Sequence, residues 1–398
     1  MKRILGLFVL LSLCLCACAG PGGRAADKAA AFAAGVDISA LPDCRQASLH
    51  QSYVETEQGM YVLSDKSGAN GGLVWFLPRG EDVMVPLCDK PNCEHRNHDC
   101  NAWGGFVLAE YGGKLYTELL EYESTLISMD MDGTNHESVA RLPVVKNPDG
   151  GFEGSGGLYP AGTYLVYIMA ANLMRPYEEQ HCHIFLFDLT QGKWHEAFTS
   201  LTQQYHLNLG DPLYADGKLY CITDVEQEGG ETESWMLMLD LETEEWELLF
   251  EMNPKFYMWA VYDGILYYLI PDVGFREYNL ETGELADKGL PVEDALWASY
   301  GEDYIYLMGH NPILEDWEAR AEAGERVGFP PPGEETLYIL NWNYELVDQV
   351  FLTDGEHPTI ITADRIYFTY DTVNLNKPNA WLDKSKIGSG NLELIPLE

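Results

Sequence analysis

The sequence predicts an all-β chain folded as a single β-propeller of four-stranded antiparallel blades, seven of them by count. Three observations lead there. A short turn phrase ending in an apolar residue and Tyr recurs along the chain. A strand–turn–strand phrase follows each copy at a variable distance. Nothing with a helical period recurs between them, which leaves antiparallel sheets joined by tight turns as the repeating unit.

The first phrase reads EQGMY (57–61), GGKLY (112–116), GTYLVY (162–167), DGKLY (216–220), DGILY (263–267), GEDYIY (301–306) and ADRIY (363–367). Each copy is a Gly or Asp turn feeding a strand B, and the copies stand roughly 40–60 residues apart, the size of a propeller blade with long loops. The second phrase is a C–D hairpin. Clear copies span 127–139, 184–198, 237–250 and 275–290, and weaker ones span 74–87, 337–352 and 381–397. Asp-Gly, Gln-Gly and Thr-Gly supply positive φ in these hairpins. Asp130, Asp188, Asp240 and Asn279 are expected to cap the turns through their own backbone. Strand A precedes the first phrase at 106–111, 211–215, 258–262, 296–300 and 359–363. The first and last repeats are the least regular, so a six-bladed ring in which one completes the other is the alternative count.

This order places the A–B and C–D turns on one face and the B–C loops and D-to-A links on the other. The B–C loops are long at 170–181, 224–234 and 309–335. The last holds an expected helical turn, EDWEARAEAG, closed by Gly324 and followed by a Pro run. Loop variation on one face suggests recognition there. Drift in unconstrained loops is the competing explanation.

The chain opens MKRILGLFVLLSLCLCACAG, with Lys2 and Arg3 before an apolar run from Ile4 to Cys16. This is an export signal. Leu15-Cys16-Ala17-Cys18 resembles the lipobox of bacterial lipoproteins, which implies that Cys18 is diacylated and becomes the mature N-terminus. The expected division is a signal peptide over 1–17, a lipidated N-terminus and flexible tether over 18–44, and the propeller over 45–398. Such a chain sits at the outer face of the bacterial cell membrane, with the lipid bilayer as its first partner. An ordinary secreted protein is the alternative. The formal net charge of −39 repels phosphate backbones and excludes nucleic acid as a partner.

One stretch gathers the residue types of a metal site or a disulfide knot: CDKPNCEHRNHDC, residues 88–100. Cys88, Cys93, His95 and Cys100 offer three thiolates and one imidazole, a set suited to tetrahedral zinc. His98 is a rival ligand. Four protein ligands close the site, so its role would be structural. Cys93 and His95 are two apart and can both face inward only on irregular or extended backbone. The stretch follows strand D of the first repeat and precedes strand A of the second, which predicts a crossing on the long-loop face. The competing reading is disulfides, because Cys44, Cys88, Cys93, Cys100, Cys182 and Cys221 make an even number in an exported chain.

LCDKPNCEHRNHDCNAW resembles the pattern L-C-x-K-P-x-C-x-H-(x4)-C-N-A of uncharacterised β-propeller lipoproteins of Gram-positive gut anaerobes. The turn phrases K-L-Y and M-D-x-D-G and the ending G-S-G-N-L-E-L are similar to theirs, so the resemblance covers most of the mature chain. It implies Cys88, Cys93, His95 and Cys100 as the motif positions, without His98. It implies location and fold but no activity. An anaerobic life would keep these thiols reduced and favour metal.

Other groups are weaker. His181-Cys182-His183 alternates on an expected strand, so both imidazoles share a face, with Glu178 and Glu179 in the adjacent loop. Trp103, Trp259 and Trp297 could form a sugar-stacking platform, although packing within the blades suits them better. No G-x-S-x-G, H-E-x-x-H or phosphate loop occurs, so no organic cofactor is expected. The functional expectation is a non-catalytic propeller that binds or scaffolds a carbohydrate, a peptide or a surface protein. The alternative is a carbohydrate-active enzyme, a glycoside hydrolase or polysaccharide lyase, drawing carboxylates and histidines from several blades.

Overall fold

The turn phrases fold as two-residue hairpins. Asp216-Gly217 and Asp263-Gly264 hold both central residues at positive φ, from +49° to +79°, and Gly112-Gly113 do the same at +61° and +77°. These are the turns whose twist matches a right-handed strand pair. In each case the flanking residues pair directly, as Ala215 does with Lys218 and Tyr262 with Ile265.

A computed structural model describes residues 53–397, apart from 67–70, 96–98, 106, 120–123, 146–155, 170–180, 200–204, 208–211, 227–231, 253–258, 272, 293–294, 310–319, 321–334, 353–356, 370–373 and 376. The strands form seven antiparallel sheets, so the ring has seven blades, and the six-bladed alternative is set aside. Every blade uses consecutive strands in the order A-B-C-D. Blade 3, for example, runs Gly156–Ala161, Tyr164–Met169, His183–Asp188 and Lys193–Thr199. Blade 7 ends on a two-residue strand D, Ile395–Pro396. Apart from a 3-10 turn at Lys384–Lys386 and helical backbone at Arg320, the described residues are strand, turn and loop. The helical turn expected over 315–324 otherwise lies outside the described residues, as do most of the long B–C loops.

Strands A of neighbouring blades approach one another at the centre, as in blades 1 and 2, 4 and 5, and 5 and 6. Strands D face outward, and Leu285–Gly289 of blade 5 is exposed at every residue. The core is divided among seven apolar clusters, one at each blade–blade boundary. The period of two explains this division. In strand B of blade 4, Leu219 and Cys221 pack toward blade 3, whereas Tyr220 and Ile222 pack toward blade 5. A sheet buried on both faces needs apolar residues at successive positions, hence runs such as ILYYLI and IFLFD.

Blades 1 and 7 each take their four strands from their own repeat, and side chains plus one short backbone pairing close the ring. Arg365 of blade 7 lies 3.7 Å over the ring of Trp381 and pairs with Asp82 of blade 1 at 3.1 Å. Lys377 sits 4.5 Å above Trp75, and Asn374–Leu375 pair with Asp65–Lys66 of blade 1.

The expected C–D caps are present in three blades. The Oδ1 atoms of Asp188, Asp240 and Asn279 each accept two backbone N–H bonds from their own turn. Blade 2 differs: Asp132 accepts from the N–H of Thr134, and Asp130 instead binds the Asn135 side chain. Its turn closes one residue sooner, with Gly133 at φ +79°.

Candidate metal centre

Strand D of blade 1 is built in two pieces. Val85–Pro86 pairs with Phe76 and Trp75 of strand C (Gly72–Pro78), and Trp103–Gly104 pairs with Leu73 and Gly72. Between them both edge-facing groups of Val74 are used. Leu87 donates to the Val74 carbonyl, and the Val74 N–H donates to the carbonyl of Ala102. The ladder therefore continues across the break with no backbone group orphaned. The chain thus leaves the strand C edge after Leu87 and returns at Ala102, at a single register position.

The same position is irregular in other blades. Blades 2 to 5 each carry one extra residue in strand D there: Val139, Ala197, Leu249 and Lys288. These are β-bulges, which sharpen local twist. In blade 1 the bulge has become the Cys/His segment. This corrects the expected crossing on the long-loop face. The segment leaves mid-strand at the rim, and its base lies against the C–D hairpin of blade 2 on the short-turn face. His136 Nε2 is 3.1 Å from the carbonyls of both Asn101 and Gly133. A Cβ on Gly133 would lie 2.4 Å from the Leu87 carbonyl oxygen.

The segment brings together the four residues that the sequence singles out. The donor atoms of Cys88, Cys93, His95 and Cys100 all lie within 4.8 Å of one another. Bonds of about 2.0–2.3 Å to zinc give tetrahedron edges of about 3.3–3.8 Å, so this spread suits one small cation. His95 Nδ1 is 3.2 Å from Cys100 Sγ, already one such edge. The ring is turned inward by left-handed backbone, φ +50° at His95 and +60° at Asn92. Left-handed backbone is costly for residues with a Cβ and is held only where its surroundings demand it. It is the irregular backbone that the Cys93/His95 spacing requires. His98 falls outside the described residues.

Backbone amides converge on the sulfurs. Burial works against ionising Cys88, but the N–H groups of Lys90 and Asn101 donate to its sulfur and carry its pKa below the ordinary thiol value. Burial pushes Cys100 up to about 12, although the N–H of Ala102 lies 3.3 Å from its sulfur. In both, one donating amide sits two residues past the cysteine, the arrangement that supports a metal-bound thiolate. Lys90 Nζ donates to the Asp99 carbonyl and ties the two arms of the loop.

Among the described residues no S–S bond joins Cys88, Cys93, Cys100, Cys182 and Cys221. Cys44 and the lipidation candidate Cys18 lie outside the described residues. Cys182 and Cys221 share the buried core between blades 3 and 4. His183 opens strand C of blade 3 with Nδ1 2.6 Å from Glu196 Oε1, so a neighbouring carboxylate occupies it. Glu178 and Glu179 lie outside the described residues. Trp103 and Trp259 are buried and Trp297 packs against the core between blades 6 and 7, so blade packing accounts for them. Sequence reasoning missed Asn101 and His136, which fix the loop to blade 2. Only a pairing of distant segments shows them.

No family model matches the chain, and no curated protein matches it. Among solved structures, the chain is similar to oligogalacturonate lyase from Vibrio parahaemolyticus at 11% identity, covering 88% of this chain and 89% of that one, with a TM-score of 0.45. It is also similar to dipeptidyl peptidase 4 of Porphyromonas gingivalis at 9% identity, 87% and 52% coverage and a TM-score of 0.46. BamB from Moraxella catarrhalis gives 11% identity, 83% and 96% coverage and a TM-score of 0.38. Likenesses this distant carry no argument about activity, and the fold rests on its own sheet topology.

Proposed function

We propose that this chain is a lipoprotein anchored through Cys18 at the outer face of a bacterial cell membrane, with a propeller that binds or scaffolds rather than catalyses. Cys88, Cys93, His95 and Cys100 hold a structural zinc ion that staples the strand D insertion of blade 1 against blade 2. The observation that carries the reading is the convergence of four protein donors within 4.8 Å. A tetrahedral shell filled by protein leaves no position for substrate or a hydrolytic water, which is the signature of a structural site. Support also comes from the donors' setting, since backbone amides already point at two of the sulfurs. Zinc would supply a cross-link between the ends of a segment that has no strand partners of its own.

Elemental analysis of anaerobically purified protein tests the metal, with about one zinc per chain expected and none in Cys88→Ser or Cys100→Ser. Metal-free wild-type protein whose cluster cysteines are oxidised would overturn it. Labelled palmitate should enter the wild type and not Cys18→Ala. Equal labelling would remove the anchor from the proposal.

A further inference from the structure

Between blades 1 and 2, on the short-turn face, lies an open cleft of about 590 Å³. Ligand sites commonly hold about 300–1,000 Å³. The floor is apolar, formed by Phe76, Val85, Pro86, Leu87 and Met131. Val85 is 47% exposed although it lies in a strand, so the floor is open to an occupant. The Phe76 ring is held by the buried Tyr61, with centroids 4.7 Å apart.

The rim is acidic. Asp89 comes from the Cys/His segment, and Asp130 and Asp132 come from the C–D hairpin of blade 2. The lining contains no Lys or Arg. Among the described residues none of the three carboxylates forms an ion pair. Each is hydrogen-bonded to a neutral group through one oxygen: Asp89 to Asn101, Asp130 to Asn135 and Asp132 to Thr134. The lysines of the same segments bond elsewhere, Lys90 to the Asp99 carbonyl and Lys114 to Glu137 at 2.9 Å, although Lys114 also feels the charge of Asp130 across the strand pair. Three carboxylates without a direct ion pair around an apolar floor call for an occupant that brings both countercharge and aliphatic surface. Lys and Arg side chains do so, with stems that cover apolar surface and heads that reach the rim.

We propose that this cleft is the docking site for a basic, apolar peptide segment of a partner protein, and that Cys88 and Asp89, at the start of the Cys/His segment, form one of its walls. The second half rests on the zinc reading above, because Cys88 is a ligand and Asp89 follows it directly.

The test is fluorescence anisotropy on the full-length protein with two labelled octapeptides, one alternating Lys and Leu, the other Glu and Leu. The Lys/Leu peptide should bind with an affinity that falls as salt rises, and the Glu/Leu peptide should not bind. The triple change Asp89→Asn, Asp130→Asn and Asp132→Asn keeps each hydrogen-bond acceptor, and it should weaken binding about tenfold or more. Val85→Lys, at an exposed position, should do the same. Glu242→Gln, Glu281→Gln and Glu284→Gln together, on the turns of blades 4 and 5, should leave affinity unchanged. Equal losses in the rim and control triples would overturn the proposal, because attraction to the whole acidic chain would then explain binding. So would binding of the Glu/Leu peptide, or binding of neutral oligosaccharides alone. Zinc is measured in the same samples. Rim-dependent binding by zinc-free protein overturns the staple and leaves the cleft, and zinc-loaded protein without rim-dependent binding overturns the cleft and leaves the staple.

Discussion

Replacing Gly133 with Ala tests how the Cys/His segment is seated on blade 2. Two penalties meet there. The backbone is left-handed at φ +79°, which costs an L-residue about 1–2 kcal/mol, offset by about 0.4–1 kcal/mol from a stiffer unfolded chain. The new Cβ would also stand 2.4 Å from the Leu87 carbonyl oxygen and 3.3 Å from that of Asn101. Both are backbone atoms that cannot rotate aside. Reaching ordinary contact at 3.4 Å needs a retreat of about 1 Å (3.4 − 2.4), enough to disrupt the His136 bond to Asn101 at 3.1 Å, worth about 1 kcal/mol. The expected loss is about 2–4 kcal/mol in urea unfolding followed by tryptophan fluorescence. Gly192 is the control: its φ is +65°, but nothing lies within 4 Å of its added Cβ. Gly192→Ala should cost about 1 kcal/mol or less. Losses within about 0.5 kcal/mol of each other would refute the close seating and leave only backbone strain.

Three further outcomes are expected. Arg365→Ala removes a guanidinium stacked 3.7 Å over Trp381 and paired with Asp82 at 3.1 Å, and should cost about 1–3 kcal/mol in urea unfolding. A loss below about 0.5 kcal/mol would mean that apolar packing alone closes the ring. Burial, with a smaller push from Asp364, raises the pKa of Glu55 against the lowering by Arg79. The folded state thus holds this proton more tightly, and the associated stability is present at low pH and lost as pH rises through the folded pKa. Glu55→Gln should therefore raise the melting temperature at about pH 7 and change it little at about pH 4, and the opposite order would exclude burial as the cause. Burial, and next the neighbouring Cys182, push the Cys221 thiol up to about 12. Both cysteines should resist a disulfide reagent in native protein and react on unfolding, so rapid native labelling would contradict the core between blades 3 and 4.

The repeat was legible because its signals are local. Asp-Gly and Gly-Gly turns demand positive φ wherever they occur, and apolar alternation declares a strand without reference to its partners. Asp188, Asp240 and Asn279 cap their own turns within three residues, and they were readable for that reason. Blade 2 departed because the choice between Asp130 and Asp132 depends on one residue of hairpin length, which composition does not report.

The Cys/His segment shows where local reading stops. Its residue types and spacing named all four donors, because ligand chemistry belongs to side chains. Its place in the fold did not follow. The segment resumes strand D at Trp103, and that register is set by the N–H of Val74, far back in the chain. A linear reading sees a strand ending at Leu87 and a long link. Only the paired edge shows one strand with a loop expanded from a bulge that blades 2 to 5 carry in small form.

By itself, the sequence determined the all-β class, the repeat, the turn chemistry and the candidate ligand set, all of which are written within a few residues. Tertiary structure decided the seven-blade closure, the rim position of the Cys/His cluster, the left-handed backbone at His95 and the acidic cleft beside it. Those depend on which edges and side chains meet across blades. Such meetings follow from register and packing between segments far apart in the chain, which no local pattern specifies.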